Sequence, residues 1–405
     1  MGKVIAIGKL GRSIKFGRHL WKDGAGNNEP ATLFSAIAND NPENTYVLIG
    51  KSDFSRCKKE YIDYWFKHGN VIDAWTGFNS KEDNPITYPY EQVKDMKFDY
   101  AIINGGISSG INIPGIFKKY SKKTGEILDE IANPLIMFEK FAGPIIYFLN
   151  ETKVKWVNFT ADARQLPVKA YDLFNGQVAD LATVEEDFVL EHFEDYNNQN
   201  IVTRNEKAIY GMPEFLCLLD PEYEGKTWFN NKVEKDIKVG LFFHKYKDKK
   251  RFNAIKEYIN QFNEDEIQVF GEWKEEVESK DPRYKGSHTF DEIQEILPRV
   301  KYTICYPIIE GDISAKWVEA MRAGIIPFFD KTYDKKRILQ REFGIPDFCY
   351  VENAQDFKNK IMTLENDEEK YVRLRNVFED TLNNVLNMNL SKAYVEKIEK
   401  LIYND

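Results

Sequence analysis

Residues 313–329 contain the cation and the carboxylate whose spacing best suits ligand binding. Lys316 and Glu319 lie three positions apart among apolar residues at helical spacing, so both side chains are predicted on one helix face. Gly324 is typical of a helix end, and the apolar run after it predicts a buried strand. The carboxylate could bind ribose hydroxyls and the lysine a phosphate. The alternative is a solvated salt bridge on an ordinary amphipathic helix.

A basic segment at residues 244–251 follows a predicted strand and precedes a predicted helix at 252–262. Cationic side chains and the free amides of a helix N-terminus both attract anions, so this junction could hold a diphosphate. The alternative is a solvated run of charges.

A second chemical candidate lies in the first half of the chain. Asp162 and Arg164 follow a predicted strand at 155–160, and Pro167 closes the loop. An aspartate at a strand end could remove a proton from an attacking hydroxyl group. Alternatively, Asp162 caps the next turn and pairs with Arg164.

The long loop at residues 9–26 is both basic and rich in glycine. Lys9, Arg12 and Lys15 follow the first predicted strand, where α/β proteins bind ligands, so they are candidates for acceptor contact. Its glycines do not form the GxGxxG dinucleotide fingerprint. The alternative is that these are solvated loop charges.

Short apolar runs that alternate with helical patterns predict an α/β fold. Strands are predicted at 4–7, 46–49, 98–104, 144–149, 155–160, 237–243, 267–270, 300–306 and 325–329, with a last one after 348. Residues 180–195 are predicted to be mostly helical, and 281–286 to form a turn-rich loop. This order predicts domains at 1–220 and 237–380, with a C-terminal helix at 381–405 that packs back on the first domain.

Composition narrows the class of protein. With 405 residues and 42% hydrophobic content, the chain can build two packed domains. A net charge of −9 argues against general coating of nucleic acid, although it permits a local basic site. The cysteines are scattered without CxxC pairing, which suits a reducing cytoplasm and gives no zinc framework. No apolar stretch is long enough for a signal peptide or a membrane span, so no membrane partner is expected.

The motifs of the second half, in their order and spacing, resemble those of GT-B glycosyltransferases, and more narrowly the phage DNA β-glucosyltransferases. The likeness rests on Val-Phe-Gly at 269–271, Asp-Pro-Arg-Tyr at 281–284, Lys-Trp-Val-Glu-Ala-Met at 316–321, Ile-Pro-Phe-Phe-Asp at 326–330 and Tyr-Asp-Lys-Lys-Arg-Ile at 333–338. The resemblance implies two Rossmann-like domains that face each other across a cleft.

The resemblance also assigns a donor site in the C-terminal domain. It implies that Glu319 holds the ribose of a UDP-sugar and that Lys316, at a position where the family has arginine, holds phosphate. The family's paired arginines fall on Lys247 and Arg251. Gly271 belongs to the donor site as part of the 269–271 motif.

In the N-terminal half, residues 159–167 are similar to the family's Asp-x-Arg segment, with one additional residue before the aspartate. The resemblance implies that Asp162 is the catalytic base and that Arg164 binds the acceptor, together with the basic loop at 9–26.

The function implied by this likeness is transfer of a sugar, glucose before others, from a UDP-sugar with inversion. The acceptor would be the hydroxymethyl group of a modified pyrimidine, hydroxymethyluracil or hydroxymethylcytosine, in double-stranded phage DNA within the host cytoplasm. A divalent metal is compatible with this chemistry and not required by it. Two alternatives stay open: a UDP-sugar-dependent enzyme acting on a glycan or small molecule, and a non-catalytic nucleotide-binding protein.

Overall fold

The structure, a computed structural model, describes residues 2–9, 29–49, 66–73, 95–104, 148–149, 151–160, 176–182, 208–209, 233–243, 249–271, 281–288, 290–307, 310–311, 313–314, 316–387 and 390–403. They fall into two compact units. The first unit contains the described residues up to 209 and those at 390–403, and the second contains the described residues from 233 to 387.

The first unit is built on a parallel sheet of seven strands. These are β1 (Val4–Lys9), β2 (Thr45–Ile49), β3 (Asn70–Asp73), β4 (Tyr100–Asn104), β5 (Trp156–Thr160), β6 (Gln177–Ala182) and β7 (Ala208–Ile209). Their order is β3-β2-β1-β4-β5-β6-β7, with helix α1 (Glu29–Asp40) between β1 and β2 along the chain. The chain therefore returns to the other side of β1 after β3, which creates a switch point between β1 and β4.

Both faces of this sheet are buried. Ile5 and Ile7 of β1 belong to one core cluster, whereas Ala6 between them belongs to a second cluster on the opposite face. Successive side chains of a strand point to opposite faces, so a strand covered on both sides must be apolar throughout. This is why β1, β2 and β4 appear in the sequence as short uninterrupted apolar runs.

The second unit repeats the arrangement with six parallel strands in the order β10-β9-β8-β11-β12-β13. The strands are β8 (Ile237–Phe242), β9 (Ile267–Phe270), β10 (Tyr284–Gly286), β11 (Val300–Cys305), β12 (Ile326–Asp330) and β13 (Tyr350–Val351). The helices are α2 (Lys249–Ile259), α3 (Phe290–Ile296), α4 (Lys316–Arg322), α5 (Ile338–Phe343), α6 (Ala354–Glu365) and α7 (Glu368–Asn387). Its switch point lies between β8 and β11.

Three local expectations from the sequence were wrong. Residues 148 and 149 are helical, not the end of a strand at 144–149, since a short apolar run does not distinguish a buried helix from a buried strand. The predicted turn at 281–286 contains the edge strand β10, whose half-exposed residues lack an apolar pattern. The start of the predicted helix at 180–195 belongs to strand β6.

Helix α8 (Leu390–Tyr403) packs on the first unit. Its residues Tyr394, Val395, Ile398 and Ile402 are buried in the same core cluster as β1 and α1. The predicted boundary at 381 falls inside α7, which continues to Asn387, and the chain changes unit between 388 and 389.

Polar contacts fix the position of α8 on that core. The Tyr100 hydroxyl donates to Glu399 at 3.1 Å, and Lys3 forms an ion pair with the same carboxylate. The Lys155 ammonium donates to the backbone oxygen of Ile402 at 2.9 Å. These contacts place the end of the chain beside β1, β4 and β5. Among the described residues, no helix is long and apolar enough to cross a membrane.

We expect Ile398→Ala to destabilise the first unit by about 2–5 kcal/mol, because it leaves a cavity under the sheet. Hydrogen exchange at the amides of β1 and β4 would measure the loss. Glu396→Ala, at an exposed position of the same helix, is the control and should change protection by less than about 0.5 kcal/mol. Unchanged protection in Ile398→Ala would contradict the role of α8 in this core.

Candidate functional site

The candidate site of the second unit lies at the carboxyl ends of β8 and β11. These two strands are hydrogen-bonded neighbours although β9 and β10 lie between them in the chain. Loops from adjacent strands diverge at such a switch point and leave room for a ligand. Helix α2 follows β8 and helix α4 follows β11, so side chains from both helices can reach this place.

Lys316, the first residue of α4, points toward the end of β8. Its ammonium donates to the backbone oxygen of Phe242 at 2.8 Å and lies 4.0 Å from the centre of the Phe243 ring. The residue is half-buried. This geometry excludes a lysine that is fully solvated on the outer face of an amphipathic helix.

Arg251, in the first turn of α2, is only 4% exposed. Its Nε donates to the backbone oxygen of Pro307 at 2.9 Å, just beyond the end of β11. Its guanidinium carbon lies 5.6 Å from the centre of the Phe243 ring. The two predicted phosphate ligands that the structure describes therefore approach one aromatic ring from two different helices.

The environment of Lys316 disfavours its charge. The pKa of its ammonium is lowered from 10.5 to about 8, mainly by burial and to a smaller extent by the nearby Arg251 guanidinium. Cys305 and Glu319 act weakly in the opposite direction. Two cations held close together at a ligand-binding position are a physical reason to expect an anion there.

Glu319 and Gly271 complete the part of the predicted donor site that the structure describes. Glu319 is exposed in the first turn of α4, where its carboxylate is accessible to a ligand. Gly271 follows β9 with φ of 127°, a backbone conformation that other residues rarely adopt, and its amide donates to the oxygen of Gly286 at 2.9 Å. The glycine thus lets the chain turn directly at the strand end.

A buried polar network anchors α2 to the sheet. The Tyr258 hydroxyl donates to Asp330, at the end of β12, at 2.5 Å. The other oxygen of Asp330 accepts from the amide and the hydroxyl of Thr332 at 2.9 and 2.5 Å. Asp330 therefore acts as a structural acceptor, and its satisfied oxygens tie the C-terminal end of α2 to a strand next to the site.

The Asp281–Arg283 pair has a structural role at the same, C-terminal end of α2. Arg283 donates to both oxygens of Asp281 and to the backbone oxygens of Ile259 and Phe262. These hydrogen bonds lower the pKa of the Asp281 carboxyl. The pair satisfies carbonyls at the C-terminal end of α2 and so holds the helix that carries Arg251.

Several predicted site residues lie outside the described residues. These are Arg12, Lys15, Asp162, Arg164 and Lys247. The backbone of Lys9 ends β1 and pairs with Asn104 of β4, at the switch point of the first sheet. Strand β5 ends at Thr160, two positions before Asp162.

Phe243, which lies under both cations, was not predicted as a site residue. Because its neighbours are apolar, the sequence indicated only a further residue of a core strand. Its position at the end of that strand was the one feature that could have indicated a site residue. Among the described residues, no group of three or more His, Cys, Asp and Glu side chains could hold a metal ion.

No family model matches this sequence, and no curated protein matches it. Solved structures are similar over nearly the whole chain. A β-glucosyltransferase, a DNA modifying enzyme solved in the presence and absence of uridine diphosphoglucose, has a TM-score of 0.59 at 13% identity, covering 98% of this chain and 99% of its own. The T4 phage protein BGT in complex with UDP and Mn²⁺ has a TM-score of 0.56 at 14% identity and covers 99% of both chains.

Two bacterial proteins are similar as well. A glycosyltransferase from Rickettsia africae has a TM-score of 0.55 at 12% identity and covers 100% of both chains. Anabaena HepE, in complex with UDP, has a TM-score of 0.52 at 12% identity and covers 98% of this chain and 99% of its own. These likenesses confirm the predicted fold: the chain has the α/β architecture of the GT-B glycosyltransferases, with a parallel sheet in each of its two units.

Proposed function

We propose that this protein is a glycosyltransferase whose UDP-sugar donor binds at the switch point of the second unit. The observation that carries the proposal is the convergence of Lys316 and Arg251, from two helices, at the ends of β8 and β11. The similar structures from T4 phage and Anabaena, solved with UDP-glucose or UDP, support the same class of donor.

A diphosphate suits this place for an electrostatic reason. Lys316 and Arg251 repel each other, and both have lost part of their hydration. A doubly charged anion between them would replace that repulsion with charge-assisted hydrogen bonds. Glu319, on the exposed side of α4, would then accept hydrogen bonds from the ribose hydroxyls, with Gly271 at the adjacent strand end and Lys247 adding charge to the phosphate site.

The proposed acceptor is the hydroxymethyl group of a modified pyrimidine in double-stranded DNA. Asp162 removes the hydroxyl proton, and the oxygen attacks the anomeric carbon of the sugar as the bond from that carbon to UDP breaks. The configuration inverts because the attack is a single displacement. Lys316 and Arg251 stabilise the negative charge that develops on the departing UDP. The similar structure of a β-glucosyltransferase described as a DNA modifying enzyme supports this acceptor.

In this proposal Lys9, Arg12, Lys15 and Arg164 contact the acceptor phosphates. No step depends on a divalent ion, because cationic side chains supply the charge that stabilises the leaving group. A divalent metal is compatible with this chemistry and would add to that charge; the T4 phage protein has been solved in complex with UDP and Mn²⁺.

A second candidate is a glycosyltransferase that acts on a glycan or a small molecule. The net charge of −9 favours it, since DNA contact would then have to depend on one local basic surface. A screen of UDP-sugars against hydroxymethylated duplex DNA, unmodified duplex DNA and free sugars separates the candidates. UDP release only with the hydroxymethylated duplex supports DNA as acceptor, and binding without any release would indicate a nucleotide-binding protein.

Lys316→Met should weaken UDP binding by about 10- to 150-fold, the value of one or two charge-assisted hydrogen bonds. Isothermal titration calorimetry would measure it. Lys331→Met, at an exposed lysine of the same unit, is the matched control and should bind UDP as the unmodified protein does. Equal affinity in both variants would contradict the donor site.

Asp162→Asn should keep UDP affinity and reduce sugar transfer by about 100- to 10,000-fold, because the amide cannot accept the proton. Initial rates of UDP release in the presence of acceptor would measure the loss. Full turnover in this variant would show that another residue is the base.

UDP affinity should fall as the pH rises above 8, because Lys316 loses its proton near a pKa of about 8 when no ligand is bound. The groups that act on this lysine are Arg251, Cys305 and Glu319. Lys316→Arg should remove the decline, since arginine stays protonated. Dissociation constants between pH 6.5 and 9.5 test this, and an equal decline in both proteins would assign it to another group.

A further inference from the structure

The ring of Phe243 lies close to both cations of the candidate site. It follows β8 directly and is 2% exposed. The Lys316 ammonium lies 4.0 Å from its centre and the Arg251 guanidinium carbon 5.6 Å from it. Both distances are within the range of about 6 Å over which an aromatic face attracts a cation.

We propose that Phe243 is a positioning residue of the donor site, whose ring holds the Lys316 ammonium and the Arg251 guanidinium in place for a diphosphate. The diphosphate part of this inference rests on the proposed function. The positioning of the two cations by the ring does not depend on the ligand.

The two cations repel each other. Both are hydrogen-bonded to the backbone, Lys316 to the oxygen of Phe242 and Arg251 to that of Pro307. These tethers come from different strands and act on each cation separately. The negative potential of the ring attracts both charges at once, so Phe243 offsets part of the repulsion that would otherwise drive them apart.

Position along the chain strengthens this role. Phe243 is the residue next to Phe242, whose oxygen binds Lys316, so the tether and the ring belong to one rigid strand end. Phe242 itself stacks on Phe270 of β9, with ring centres 5.0 Å apart. This stacking fixes the strand end that carries Phe243 against β9, next to the switch point between β8 and β11.

The test separates the charge of the ring from its shape. Phe243→Leu removes the aromatic face, and replacement of Phe243 by 3,4,5-trifluorophenylalanine retains its outline while withdrawing the negative potential. Both should lower the pKa of Lys316, followed by NMR titration of its labelled side chain, and both should weaken UDP binding by about three- to thirty-fold. Phe378→Leu, at a fully buried phenylalanine of α7, controls for a general loss of core packing.

The outcomes are distinguishable. If the fluorinated protein titrates and binds UDP as the unmodified protein does, the ring acts by shape alone and the inference is wrong. If the unmodified protein does not bind UDP, the proposed function fails, whereas the Lys316 titration still decides whether Phe243 holds the cations. A change in Phe378→Leu equal to that in Phe243→Leu would also overturn the inference.

Discussion

The second unit depends on holding two like charges side by side where hydration is limited. Arg251 is nearly fully buried and Lys316 is half-buried, and both burial and the Arg251 guanidinium lower the pKa of Lys316. Such an arrangement is costly unless backbone oxygens, an aromatic face or a bound anion compensate it. The first two are present in the structure, and the third is what a donor diphosphate would provide.

Much of the surrounding structure serves to keep those charges in place. Helix α2 is attached in its first turn by Arg251, and at its C-terminal end by Tyr258 and by the hydrogen bond from Arg283 to the oxygen of Ile259. Each attachment joins a side chain to a different part of the unit, so the helix cannot rotate without breaking a buried hydrogen bond. A rigid α2 fixes the guanidinium relative to β11, and thus the geometry that an incoming phosphate must match.

Sequence patterns could predict the central strands of both sheets because these are buried on two faces and so carry short apolar runs. The spacing of Lys316 and Glu319 could also be seen, since a helix brings residues three apart onto one face. Strands β3, β6 and β10, which lie toward the sheet edges, were not predicted, and neither was Phe243. An exposed edge strand such as β10 has no apolar pattern, and the proposed role of Phe243 arises from contacts with residues eight and 73 positions away.

The lysine at position 316 has a consequence that an arginine would not have. A guanidinium keeps its charge beside Arg251 at any pH that the protein tolerates, whereas the ammonium loses its proton near pH 8. If the proposed donor site is right, a diphosphate that binds above this pH is coupled to the uptake of a proton from solvent by Lys316, and release of UDP is coupled to loss of that proton. A ring that favours the charged lysine would shift both exchanges, so the ring, the two cations and the nucleotide would then form one thermodynamically linked set.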